Sequence, residues 1–275
     1  MHPLAAKITK AKVQTLNVDQ RITEGAIVTL LAALDSAPTT FSRSRSEFSK
    51  DVIEELESWF PLSVLDKLNW LLHQIRLFGK HEVIEYFEVI LSSVIRSVSQ
   101  QDPNDLRIRR RPEPIKDAPV ITLFKKALGQ QYTFMQRYWR IVSCKPFWSY
   151  PATVCNADAR DAESIDNIGI TAGSIDLIVT SPPYATALPY IDTDRLSLMA
   201  IMGFDRSARS RLEKRLTGSR EINITERREL ERLIRGEEGL ILPERLCSSL
   251  KWLHNANASD DVGFRRANMP ALLLR

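Results

Sequence analysis

Apolar residues recur at spacings of three and four from Arg21 to Leu34 and again from Glu47 to Phe60, the period of helices that bury one face. Two stronger helical patterns follow. Val64, Leu65, Leu68, Leu71, Leu72 and Ile75 mark the first, and Val83, Ile84, Phe87, Ile90, Leu91, Val94 and Ile95 mark the second. Gly79 between them is suited to a C-cap and turn, so the pair predicts a helical hairpin. Residues 100–119 are rich in proline and charge, cannot continue a helix, and predict a loop or linker. A further helix is expected from about Val120 to Arg140, with Pro119 fitted to its first turn.

The pattern changes near Tyr150. Two short apolar runs, Ala152–Cys155 and Ile175–Val179, are each followed by polar or proline-rich residues. They predict buried parallel strands, and in open α/β sheets ligands bind at the carboxyl ends of such strands. Beyond them a helix is expected from Asp194 to Met202, then a charged helical stretch from Arg206 to Arg235. No solenoid-length repeat is present. The last residues carry an apolar helical pattern, DDVGFRRANMPALLLR, rather than a polar tail, which reads as truncation.

Composition narrows the classes. With 275 residues and 44% hydrophobic content the chain can bury a sizeable core. A net charge of +4, from 38 Lys and Arg against 34 Asp and Glu, favours anionic partners only weakly. Cys144, Cys155 and Cys247 show neither zinc-ligand spacing nor a disulfide framework, so no metal is expected. No apolar run reaches the roughly 18 to 20 residues of a membrane helix, and no signal peptide is evident. The expectation is a soluble, cytoplasmic protein. Arg107–Arg111 and Arg206–Arg215 concentrate positive charge; they read either as phosphate contacts, with Arg109, Arg110 and Arg111 the nominated residues, or as solvated surface.

The chemically informative stretch is Thr180-Ser181-Pro182-Pro183-Tyr184, directly after SIDLIV. Consecutive prolines remove two amide donors and stiffen the chain, leaving carbonyl groups to accept hydrogen bonds from an amine. Tyr184 offers an aromatic face on which an extruded base can stack, worth about 1–3 kcal/mol by analogy with single-strand binding. Outside such a context the string is a proline turn, and Asp158 is a strand-end acid that caps the next turn.

These residues resemble the amino-methyltransferases of DNA, whose catalytic motif is Asp, Asn or Ser followed by Pro-Pro-Tyr or Pro-Pro-Phe. The Ser form is the one commonly found in cytosine-N4 enzymes. Upstream, Asn156–Asp161 is similar to the family's Gly-Asp-Ala-Arg segment, which implies that Asp158 contacts the cofactor's adenine. Downstream, Ala185–Gly203 is similar to a subgroup of cytosine-N4 enzymes, and the resemblance extends over nearly the whole chain.

The resemblance implies a Rossmann-like class I methyltransferase α/β sheet, partial here, with a large helical insertion. It divides the chain into a start of the catalytic domain (1–20), a helical insertion able to recognise DNA (21–149), a catalytic α/β segment (150–204) and a charged helical region (205–275). It implies S-adenosyl-L-methionine as methyl donor, DNA as partner, Ser181, Pro182, Pro183 and Tyr184 as the amine and base site, and a place in a restriction-modification or related system. The implied reaction is direct attack of an exocyclic amine on the sulfonium methyl. No cysteine follows a proline, which disfavours cytosine-C5 chemistry.

One family feature is absent. No Gly-x-Gly occurs in the chain, whereas family members have a glycine-rich loop before an acidic strand end and an Asn-Pro-Leu-Ala segment. Met1-His2-Pro3-Leu4-Ala5 resembles that segment, which places Pro3 beside the cofactor and suggests that the loop lies on a separate polypeptide. Adenine N6 as acceptor, and a catalytically silent DNA-binding fragment, stand as the alternatives.

Overall fold

The computed structural model describes residues 2–42, 46–78, 81–105, 108–143, 152–158, 168–181, 190–216, 224–235 and 243–258. Its contacts divide the chain into two units, Met1–Ser174 with Asp192–Arg209, and Ile175–Ile191 with Ser210–Arg275.

The first unit is a helical body. Helix α1 (Pro3–Asn17) starts where the His2 imidazole accepts from the Ala5 amide at 3.3 Å and where proline, lacking an amide proton, costs no hydrogen bond. Helix α2 (Gln20–Asp35) is capped by Asp19, whose carboxylate accepts from the Arg21 amide at 2.7 Å. Ala26, Ile27, Leu30 and Leu34 line its buried face at helical spacing. Ser49 caps α3 (Lys50–Trp59), which buries Val52, Leu56 and Trp59.

Helices α4 (Leu62–Phe78) and α5 (His81–Ile95) supply the centre of the core. Val64, Leu65, Leu71, Leu72 and Ile75 of α4 and Val83 and Phe87 of α5 are fully buried, as their periodicity predicts. The expected cap at Gly79 lies outside the described residues. Helix α6 (Val120–Ser143) packs on α5, α4 and α2 through Val120, Phe124 and Leu128, and α1 lies along α5.

After the one-turn helix α7 (Tyr190–Thr193), α8 (Arg195–Met202) returns to this body and packs on α3 and α5. Gly203 ends it at φ 68°, a left-handed conformation that a side chain opposes. A Cβ there would also lie 3.4 Å from that of Ser49. Helix α9 (Arg206–Arg215) follows. In the second unit α10 (Ile224–Arg235) packs against α11 (Glu244–Ala258), burying Ile234 and Leu250.

The expected Rossmann-like sheet is not observed. No strand occurs among the described residues, whose regular structure is helical apart from an isolated bridge between Gln101 and Arg110. Ala152–Cys155 and Ile175–Val179 have irregular backbone, and Leu177, Ile178 and Val179 are 77%, 80% and 86% exposed. A short apolar run acquires strand structure only from a neighbour that completes its hydrogen-bond ladder. No described segment provides that neighbour, so the α/β assignment is corrected to an all-helical architecture for the described chain.

Candidate functional site

Several backbone anchors hold the 96–118 loop. The Gln100 amide donates to the Trp59 carbonyl at the end of α3 (2.7 Å), and the Gln100 side chain exchanges two hydrogen bonds with the backbone of Ile115. Arg111 donates to the carbonyls of Ser97 (2.6 Å) and Ser99 (2.8 Å), just beyond α5. This guanidinium therefore ties the loop back onto the turns that follow α5.

Its neighbours behave differently. Arg109 is exposed and pairs with Asp105 at 3.3 Å. Arg110 is exposed, and its guanidinium lies over the Trp59 ring, 4.5 Å from the centroid. Of the three nominated phosphate contacts, one is thus committed to structure, one carries a surface ion pair, and one is held by an aromatic ring.

A second guanidinium, that of Arg195 at the start of α8, lies over the same ring at 4.6 Å. Its side chain is 18% exposed, and Glu55 is its ion-pair partner at 3.8 Å. Glu55 in turn receives two 2.8 Å bonds from Arg209, which is buried and also donates to the Phe204 carbonyl at 2.7 Å. Burial pulls the pKa of Arg195 down, Glu55 and Asp192 oppose that, and the charges of Arg209 and Arg110 reinforce it. Residues from α3, the 96–118 loop, α8 and α9 therefore gather three arginines around one tryptophan and one glutamate.

Arg110 also lines a cavity of about 310 Å³ with Glu57, Ser58, Gln100, Arg111 and Ile115 among its walls. This cluster was not anticipated. Its sequence signal is Glu55 on the same helical face as Val52, Leu56 and Trp59, a charge within an apolar stripe that requires a partner.

A second polar chain crosses the body. Glu88 of α5 is buried and meets Lys7 of α1 at 2.7 Å and Arg76 of α4 at 3.3 Å. Arg76 and His73 both reach Glu47, at 2.9 and 2.8 Å. Burial alone would raise the Glu47 carboxyl, but the hydrogen bonds from His73 and Arg76, with their charges, hold it below its ordinary value. His73 is thereby one member of a polar chain that links α4 to Glu47.

Pro3 is buried in the first turn of α1. His2 beside it faces Asp194 at 3.5 Å, and Arg96 donates to the Thr193 carbonyl. Burial raises the Asp194 pKa against the opposing influence of His2 and Arg96. Asp158 is half-buried in irregular backbone, and Ser181 is exposed in the second unit. Pro182, Pro183 and Tyr184 lie outside the described residues. These residues stand on separate segments and form no single described constellation.

The described residues do not supply a cradle for S-adenosyl-L-methionine. Gly169 and Gly173 adopt positive φ, but each lies in irregular backbone rather than in a strand-to-helix turn. Among the described residues no group of three or more His, Cys, Asp or Glu could hold a metal, and no helix is long and apolar enough to cross a membrane. No family model matches the chain, and neither curated proteins nor solved structures give a match.

Proposed function

We propose that the chain is part of a DNA amino-methyltransferase acting on an exocyclic amine, that of cytosine N4, with Ser181–Tyr184 as the base-side site. The observation that carries this reading is the string Thr-Ser-Pro-Pro-Tyr with Asn-Ala-Asp-Ala-Arg upstream of it. Exposure of Ile175–Ser181 is compatible with a segment that receives a macromolecule.

On this reading the carbonyls of Ser181, Pro182 and Pro183 accept the amine hydrogens, which orients the nitrogen, and Tyr184 stacks on the extruded base. Asp158 is assigned to the adenine end of S-adenosyl-L-methionine, the methyl donor. Because the described residues give that donor no cradle, the proposal is confined to the base side, and a cytoplasmic setting in contact with DNA is part of it.

A second reading, a catalytically silent DNA-binding component, is favoured by two observations: the described body is helical, and the sequence has no Gly-x-Gly. Nucleoside analysis separates the two. DNA from source cells with and without the gene is digested and examined for N4-methylcytosine and N6-methyladenine. Loss of N4-methylcytosine on deletion supports the proposal, loss of N6-methyladenine moves the acceptor to adenine, and no change in either leaves the silent component.

A further inference from the structure

We propose that Arg110 and Arg195, both set against Trp59, form a phosphate-binding site on the helical body, open at Arg110 to the adjoining cavity. The inference rests on this geometry and is independent of the methyltransferase reading.

Positive charge exceeds negative at this cluster. Arg110, Arg195 and Arg209 gather around Trp59 and Glu55, and Glu55 is engaged by Arg209 through two 2.8 Å bonds. Both bonds come from one nitrogen, Nη2, which occupies both carboxylate oxygens and leaves Arg195 only a 3.8 Å contact, beyond hydrogen-bond range. Among the described residues neither Arg110 nor Arg195 donates a hydrogen bond, and the Arg195 Nε is buried without a partner. A guanidinium has five donors, and at Arg195, whose side chain is 18% exposed, leaving them unmet is costly, whereas the exposed Arg110 keeps its donors open to a ligand from solvent. An anion is the group that meets both needs.

Trp59 fixes where the anion sits. The ring is 9% exposed, so it offers no platform to a nucleic-acid base. Its π face instead restrains two side chains that would otherwise be free, by attraction between cation and ring. The guanidiniums are held in place before any ligand arrives, which lowers the ordering cost of binding. They lie within 4.6 Å of one centroid and therefore share a neighbourhood. A phosphate, with several oxygens arranged around one centre, can engage two guanidiniums at once.

The cavity beside Arg110 supplies the approach. Two arginines and one acid, Glu57, lie on its wall, and Arg111 is already spent on the Ser97 and Ser99 carbonyls. Arg110 is thus the accessible contact and Arg195 the inner one. Arg109, exposed and one residue away, is the natural control because it lies outside both the cavity lining and the ring contacts.

The phosphate can come from the backbone of a nucleic acid or from a free anion, and the test distinguishes these sources. Calorimetry on the full chain uses inorganic phosphate in one arm and a mixed-sequence duplex oligonucleotide in the other, at two salt concentrations. Arg110→Gln, Arg195→Gln and Arg109→Gln are compared with wild type, and circular dichroism checks that each is folded. The expected result is saturable binding that Arg110→Gln weakens about tenfold or more while Arg109→Gln changes it less than about twofold. Dependence on Arg110 in the duplex arm, with a reduced salt slope, assigns the site to a nucleic-acid backbone. The same dependence in the inorganic phosphate arm alone assigns it to a free anion. Absence of binding in both arms, or binding that folded Arg110→Gln leaves unchanged, overturns the proposal. Since Arg110 is exposed, its variant remains informative even if Arg195→Gln does not fold.

Discussion

Replacing Arg209 by Gln removes a guanidinium that is 7% exposed and breaks two 2.8 Å bonds to Glu55 together with one to the Phe204 carbonyl. Breaking a fully buried pair by deleting one partner costs about 3–5 kcal/mol, because an uncompensated charge is left behind. Here the cost is smaller for two reasons. Glu55 is 28% exposed and stays partly hydrated, and Arg195, 3.8 Å away, can move in as a substitute partner. A loss of about 2–3 kcal/mol is therefore expected. Urea unfolding followed by far-ultraviolet circular dichroism measures it as a lowered midpoint at unchanged slope. The double variant Glu55→Gln with Arg209→Met should recover only part of the loss, since it removes both charges of the Glu55–Arg209 pair but takes the Glu55 partner from Arg195. A loss below about 0.5 kcal/mol, the scale of a surface pair, would refute the reading of Arg209 and Glu55 as a stabilising buried pair.

Three further outcomes follow from the same structure. Glu47 is held below its ordinary value, so its contribution is complete above the unfolded carboxyl value of about 4.3 and disappears as pH falls through the lower folded value. Glu47→Gln should consequently lose stability at neutral pH and show a shallower acid dependence than wild type; parallel curves would contradict this. Gly203→Ala should cost about 1–2 kcal/mol through its positive φ, read as a shift in urea midpoint, and a neutral effect would mean the left-handed cap is not maintained. Titration calorimetry with S-adenosyl-L-methionine should show no binding tighter than about 1 mM, as no Gly-x-Gly is present, and micromolar affinity would reveal a cofactor site of another kind.

The helices were legible because one-sided burial imposes a period that the chain displays openly. Leu65, Leu68, Leu72 and Ile75 recur at three and four, and all are buried. The irregular loop at 100–119 was legible from its prolines for the opposite reason. Strands at Ala152–Cys155 and Ile175–Val179 were misread because four or five apolar residues carry too little period to distinguish a strand from an exposed segment. Whether such a run pairs depends on a partner elsewhere in space. Arg209 was hidden within Arg206–Arg215, which reads either as phosphate contacts or as solvated surface, yet it is buried against a glutamate far away in sequence. Arg111 was nominated for phosphate because charge is visible in a sequence, whereas the Ser97 and Ser99 carbonyls that hold it are not. Ion pairs between distant elements leave only half of their signal at each site.

The base-side assignment of Ser181–Tyr184 is tested most directly by a single substitution in the intact system. The codon for Tyr184 is changed to Ala at the native locus, the amount of protein is checked to be unchanged, and cellular DNA is digested for nucleoside analysis. Tyr184→Ala should remove N4-methylcytosine, because the aromatic face that receives the extruded base is lost while the rest of the chain is retained. Undiminished N4-methylcytosine and N6-methyladenine in cells with normal levels of the Tyr184→Ala protein would contradict the assignment.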